Sequence, residues 1–125
     1  MISDYFAEID LLFSNFKHII EAYILDKQFF SEEKGLIDGE LYFIDESRLS
    51  YMEVVDIQRT GKLKYSYHYM DKNNSLIFRY DNAKHYSSLD TFPHHKHTDT
   101  DVISCQEPSM KDILSEIEQY ISSKF

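Results

Sequence analysis

At 125 residues, with 42% hydrophobic and 28% charged side chains, the chain has room for one ordinary globular domain over residues 1–125 and not for two, and it is too apolar for a disordered segment. A formal net charge of −9 excludes a broad basic face for duplex nucleic acid, but leaves room for a small RNA cleft. No run approaches the roughly 20 apolar residues of a membrane span, the N-terminus lacks the basic start of a signal peptide, and the one cysteine, Cys105, has no intrachain partner, so a cytoplasmic location is expected.

Ile2, Tyr5, Phe6, Ile9, Leu12, Phe13 and Phe16 recur at helical spacing and predict an amphipathic helix over the first sixteen residues. The period then changes. Short runs of β-branched and aromatic residues predict five strands at 17–30, 36–44, 49–57, 63–69 and 75–80, separated by polar turns at 32–35, 45–47, 60–61 and 71–74. Connections this short predict an antiparallel meander. From 81 to 107 no period is visible, and an irregular stretch of that length suggests a functional loop. Pro108, then Ser109 with Asp112 three residues on, announce a second helix over residues 109–123, with Met110, Ile113, Leu114, Ile117, Tyr120 and Ile121 on one face. The expected fold is α+β, ordered αβββββα, with both helices on a five-stranded sheet. Ten Tyr and nine Phe predict an aromatic core.

The chemistry concentrates late in the chain. Four of the six histidines fall between His85 and His97, and the stretch from Arg79 to His97 carries a formal +1 on an otherwise acidic protein. Alternation places His68 and Arg79 on the more polar face of their strands, opposite Tyr65, Tyr67 and Tyr69. Glu53 lies in an apolar run, where an acid must be paired or solvated, and a general base or a partner for Arg79 or a histidine fits it.

Three readings compete for the histidines. Metal binding would use the His94-x-x-His97 spacing with His85 or Asp81, and Lys96 inside that motif argues against it. Acid–base cleavage of a phosphodiester would use His85, His95 or His97 for proton transfer and Arg79 with Lys96 for the developing charge, with Asp81 orienting a histidine. A structural loop would tie the histidines to carbonyls and carboxylates. Tyrosines on the sheet fit a core or a platform on which bases stack.

The strings Tyr65-Ser66-Tyr67-His68-Tyr69, Leu76-Ile77-Phe78-Arg79-Tyr80-Asp81-Asn82-Ala83 and Thr91-Phe92-Pro93-His94-His95-Lys96-His97 resemble the DUF6516 family, the TumE-type toxins of prokaryotic type II toxin–antitoxin systems. Asp45-Glu46-Ser47 stands where the family's Asp-Gly-Ser is often found. The resemblance implies a small toxin held inactive by a cognate antitoxin, with RNA cleavage as its activity. The expectation is thus a metal-independent endoribonuclease, without cofactor, acting through His68, Arg79, Asp81, His95, Lys96 and His97 with support from Glu53. Tyr67, Tyr80, Asn82, His85 and His94 would contact the RNA. A noncatalytic interaction module with a structural histidine loop and a metal-dependent nuclease are the alternatives, and homodimerisation stays open.

Overall fold

The computed structural model describes residues 1–84 and 92–124. Helix α1 (Ile2–Asn15) leads into β1 (Ile20–Phe29), β2 (Lys34–Phe43), β3 (Arg48–Asp56), β4 (Lys64–Met70), β5 (Leu76–Asp81), β6 (His95–His97) and β7 (Val102–Ser104), and α2 (Met110–Ser122) closes the chain. The strands form one antiparallel sheet in sequence order, so the predicted meander holds.

The strand number does not hold: among the described residues there are seven strands, not five. The two extra strands come from the stretch expected to be irregular. Each is three residues long, too short to show a period, and each is recruited by pairing: β6 onto β5 and β7 onto β6.

Both helices pack on the same face. Helix α1 buries Ile2, Phe6, Ile9 and Phe13, and α2 buries Met110, Ile113, Leu114, Ile117 and Ile121, against Ile37, Leu41, Phe43, Leu49, Tyr65, Tyr67, Tyr69 and Phe78 of the sheet. The core is aromatic, as composition predicts. The capping box of α2 forms as read: Ser109 Oγ accepts from the Asp112 amide at 3.1 Å and Asp112 Oδ2 from the Ser109 amide at 2.9 Å. No described helix is long and apolar enough to cross a membrane.

Two local features shape the hairpins. Glu46 sits at φ 69°, a left-handed conformation that favours glycine, with Asp45 Oδ1 accepting the Ser47 amide at 3.0 Å to close the turn. At Gly39 a side-chain carbon would come within 1.9 Å of the Ile24 carbonyl, so β1 crosses β2 closely there, and the Tyr51 hydroxyl donates to that same carbonyl at 2.7 Å.

Candidate functional site

Alternation along the strands decides which side chains can meet. In β4, Tyr65, Tyr67 and Tyr69 point at the helices while Ser66 and His68 point away. In β5, Phe78 and Tyr80 face the helices, and Arg79 and Asp81 the open side. Register then fixes neighbours across the ladder: His68 is opposite Arg79, Arg79 opposite His97, and Asp81 opposite His95. Five of the expected residues, His68, Arg79, Asp81, His95 and His97, therefore stand on three adjacent strands and one face.

Asp81 is the hub of this group. Its Oδ2 lies 3.1 Å from Arg79 Nε and 3.5 Å from His97 Nε2, and its Oδ1 lies 2.7 Å from His95 Nε2. The last pair is an ion pair only when the ring is protonated. On the other side of the His95 ring, Nδ1 lies 2.9 Å from the Pro93 carbonyl. A carbonyl only accepts, so Nδ1 carries the proton and Nε2 is turned to Asp81. The His95 and His97 rings meet edge to face at 4.9 Å. Asp81 and His95 are 4% and 1% exposed, whereas the Arg79 side chain is 45% exposed, so a buried pair supports an accessible cation.

Ring charges follow from these surroundings. Burial holds His68 below its ordinary pKa, seconded by Arg79, Arg48 and His97. Burial also lowers His97, Asp81 works the other way, and the cations around it leave the net shift downward. Both rings are thus biased toward the neutral form, able to accept a proton. Beside them the open face forms a cleft of about 450 Å³, with Ser66, His68 and Arg79 on one wall and Asp26, Asp38 and Glu40 on the other. The acidic wall was missed from sequence, although Asp38 and Glu40 alternate with buried Ile37 and Leu41, which is the signal that could have placed them.

The remaining expected residues are not in this group. Glu53 is fully buried on the helix side, where its two carboxylate oxygens accept from the Tyr5 and Tyr67 hydroxyls, each at 2.5 Å. It does not meet Arg79 or a histidine, because odd residues of β3 face the helices. Burial and the Glu53 carboxylate push both phenols above their ordinary pKa. Lys96 lies between His95 and His97 in β6 and so points the opposite way, donating to Glu116 Oε2 at 2.9 Å, while Tyr80 donates to Glu116 Oε1 at 2.6 Å. Lys96 is therefore a clamp on α2 in this arrangement, outside the open-face group.

Asn82 accepts from the Tyr65 amide at 3.0 Å and donates to the Leu63 carbonyl at 3.3 Å, holding the end of β4. His94 stacks on Tyr65, its Nδ1 2.9 Å from the phenol oxygen, and lines a second cleft with Arg59, Lys62, Asn82 and Lys84. His85 lies outside the described residues. Burial pushes the Cys105 thiol up to about 11, which leaves it protonated and unreactive near neutral pH.

The sequence expectation of a metal site rested on His94 and His97, and the objection to it on Lys96. Neither survives the alternation of β6. Among the described residues, those that could hold a cation are Asp81, His95 and His97, whose ligand atoms lie within 4.8 Å of one another.

Comparison with curated proteins and with solved structures gives no match. A family model described as Toxin TumE matches residues 9–121, from the middle of α1 to the last turn of α2, including every strand and the whole open-face group. The chain belongs to this toxin family.

Proposed function

We propose that this toxin is an endoribonuclease that cuts RNA on the open face of its sheet, and that a cognate antitoxin silences it. The observation that carries the reading is the convergence of His68, Arg79 and His97 at paired positions of three neighbouring strands beside a cleft. Strand cleavage needs a base for the attacking hydroxyl, a proton source for the leaving oxygen and a cation for the charge that grows on the phosphate. Arg79, exposed and held from behind by Asp81, suits the phosphate. His68, directly across the ladder and biased toward its neutral form, suits the attacking hydroxyl. On the far side of Arg79, His97 in its protonated form, which the neighbouring Asp81 carboxylate favours, gives its proton to the leaving oxygen as His68 takes one from the attacking hydroxyl. Lys96 and Glu53 have no part in the reaction, since both face the helices.

The test is incubation of the purified chain with single-stranded RNA, alongside growth arrest on expression. Parent protein should cleave, and Arg79→Ala should lose cleavage by about 10²–10³, the scale for removing one charge-stabilising group, while staying folded by circular dichroism and no longer arresting growth. If Arg79→Ala and His97→Ala both cleave and arrest growth like the parent, the site is elsewhere. If the folded parent cleaves no RNA, the nuclease reading fails.

A further inference from the structure

We propose that Asp81, His95 and His97 form a binding site for one divalent transition-metal ion of the zinc type, a centre distinct from the acid–base reading of the same face, since His97 bound to an ion no longer gives a proton there. The argument begins with the strands. His95 and His97 are i and i+2 on β6, so both rings leave the sheet on one side, and Asp81 on β5 is the direct partner of His95 and the diagonal neighbour of His97. Three ligand atoms are thereby supplied by two hydrogen-bonded strands, a rigid support compared with a loop.

The distances suit a small ion. Ligands bonded at about 2.0–2.1 Å in a tetrahedron lie roughly 3.4 Å apart, and His97 Nε2 to Asp81 Oδ2 is 3.5 Å. His95 Nε2 lies 2.7 Å from the other carboxylate oxygen, Oδ1, so this pair has to open by less than an ångström and the carboxylate has to turn for one oxygen to serve with both rings. All three ligand atoms already lie within 4.8 Å of one another.

The orientation of His95 supports the same conclusion. Metal-bound imidazoles usually donate their other N–H to a carbonyl or carboxylate, which fixes the tautomer and aims the lone pair. Here Nδ1 is committed to the Pro93 carbonyl at 2.9 Å, and Nε2 is the atom aimed at the carboxylate. Two imidazoles and one carboxylate are donors for zinc, cobalt or manganese, whereas calcium and magnesium prefer all-oxygen shells. Three protein ligands leave at least one position for water or a phosphate oxygen.

Two cations bear on the site. Lys96 does not oppose it, since its ammonium is on the other face with Glu116. Arg79 does, because its guanidinium pairs with Asp81 Oδ2 at 3.1 Å and competes for the same carboxylate. That competition gives the proposal a signature that a merely structural histidine pair lacks: removing Arg79 should tighten metal binding while removing His97 weakens it.

The experiment is titration of EDTA-stripped, dialysed full chain with Zn²⁺ by calorimetry and with Co²⁺ by visible absorption. The parent should take one ion with ligand-field bands of a low-coordinate site, and Mg²⁺ should not displace it. His97→Ala and Asp81→Asn should lose about tenfold or more in affinity. Arg79→Ala should gain several-fold, and His94→Ala, which removes the other histidine of the H-x-x-H spacing, should bind like the parent. Because Asp81 is buried, the variant that decides is His97→Ala, 25% exposed in its side chain, with its fold checked by circular dichroism. No single-ion binding by the parent, or parent-like affinity in folded His97→Ala, overturns the proposal. RNA cleavage in EDTA by a chain that binds no ion overturns the metal centre and leaves the nuclease intact; stoichiometric binding without RNA cleavage does the reverse.

Discussion

Along β3 to β6, neighbouring residues of the same strings serve two faces with different electrostatics. On the helix side, acids meet donors: the buried Glu53 takes two tyrosine hydroxyls, and the partly exposed Glu116 takes Tyr80 and Lys96. On the open side, charged groups of both signs line a cleft. Asp26 is directly opposite Asp38 on one wall, and Arg79, paired with Asp81, is opposite His68 and His97 on the neighbouring strands. Satisfied polar groups inside a core specify packing and stay where they are, whereas like charges facing each other beside a cleft are tolerated because water or a ligand can reach them. The first set holds the helices on the sheet, and the second lines the face proposed for the chemistry.

The largest effect should come from the helix side. Glu53→Ala leaves the Tyr5 and Tyr67 hydroxyls without their carboxylate in a fully buried site and opens a cavity, so a loss of about 3–5 kcal/mol in urea unfolding is expected. Folded protein that remains should cleave RNA at the parent rate. A stable Glu53→Ala with dead chemistry would break the division between the faces.

A smaller effect is expected at Lys96, the residue that sequence places inside the histidine motif and structure places behind it. Its pair with Glu116 is partly exposed, at 20% and 34%, so Lys96→Met should cost no more than about 1 kcal/mol. Cleavage and toxicity should stay within about twofold of the parent. A hundredfold loss of cleavage at unchanged stability would put the ammonium on the substrate side.

How much of this was legible depended on whether the signal was local. Helix α2 was readable to within a residue because its cap and its apolar face are both written in adjacent positions, Ser109 to Asp112 and Met110 to Ile121. The hairpins up to β5 were readable from turn residues, and alternation together with pairing through the 71–74 turn put His68 and Arg79 on one face, with their register supplied by the structure. Strand β6 was not, because three residues show no period and His-Lys-His has little strand preference of its own; pairing with β5 makes it a strand. Missing that strand merged Lys96 with its neighbours into one cluster and made His94 and His97 the natural metal pair. Glu53 was flagged for the right reason, an acid in an apolar run, yet one of its partners, Tyr5, lies 48 residues away on another element, which no local pattern reveals. The Asp45-Glu46-Ser47 turn kept its place with a residue suited poorly to φ 69°.

The smallest effect tests the open face by relieving it. Asp26 and Asp38 are paired directly across β1 and β2 on the acidic wall of the cleft, an arrangement that disfavours the fold. Asp38→Asn removes the repulsion with almost no change in shape, so the protein should gain a few tenths of a kcal/mol in stability. Both side chains are exposed, and salt screens charges at this range, so the gain should shrink between low and high ionic strength. The same variant brings one negative charge fewer to an RNA strand lying beside Arg79, and should bind RNA more tightly at low salt. A gain that is indifferent to salt would mean that shape or hydrogen bonding sets it. Tighter RNA binding without a gain in stability would mean that the acidic wall acts on the substrate alone, and that the open face is not held at a cost to the fold.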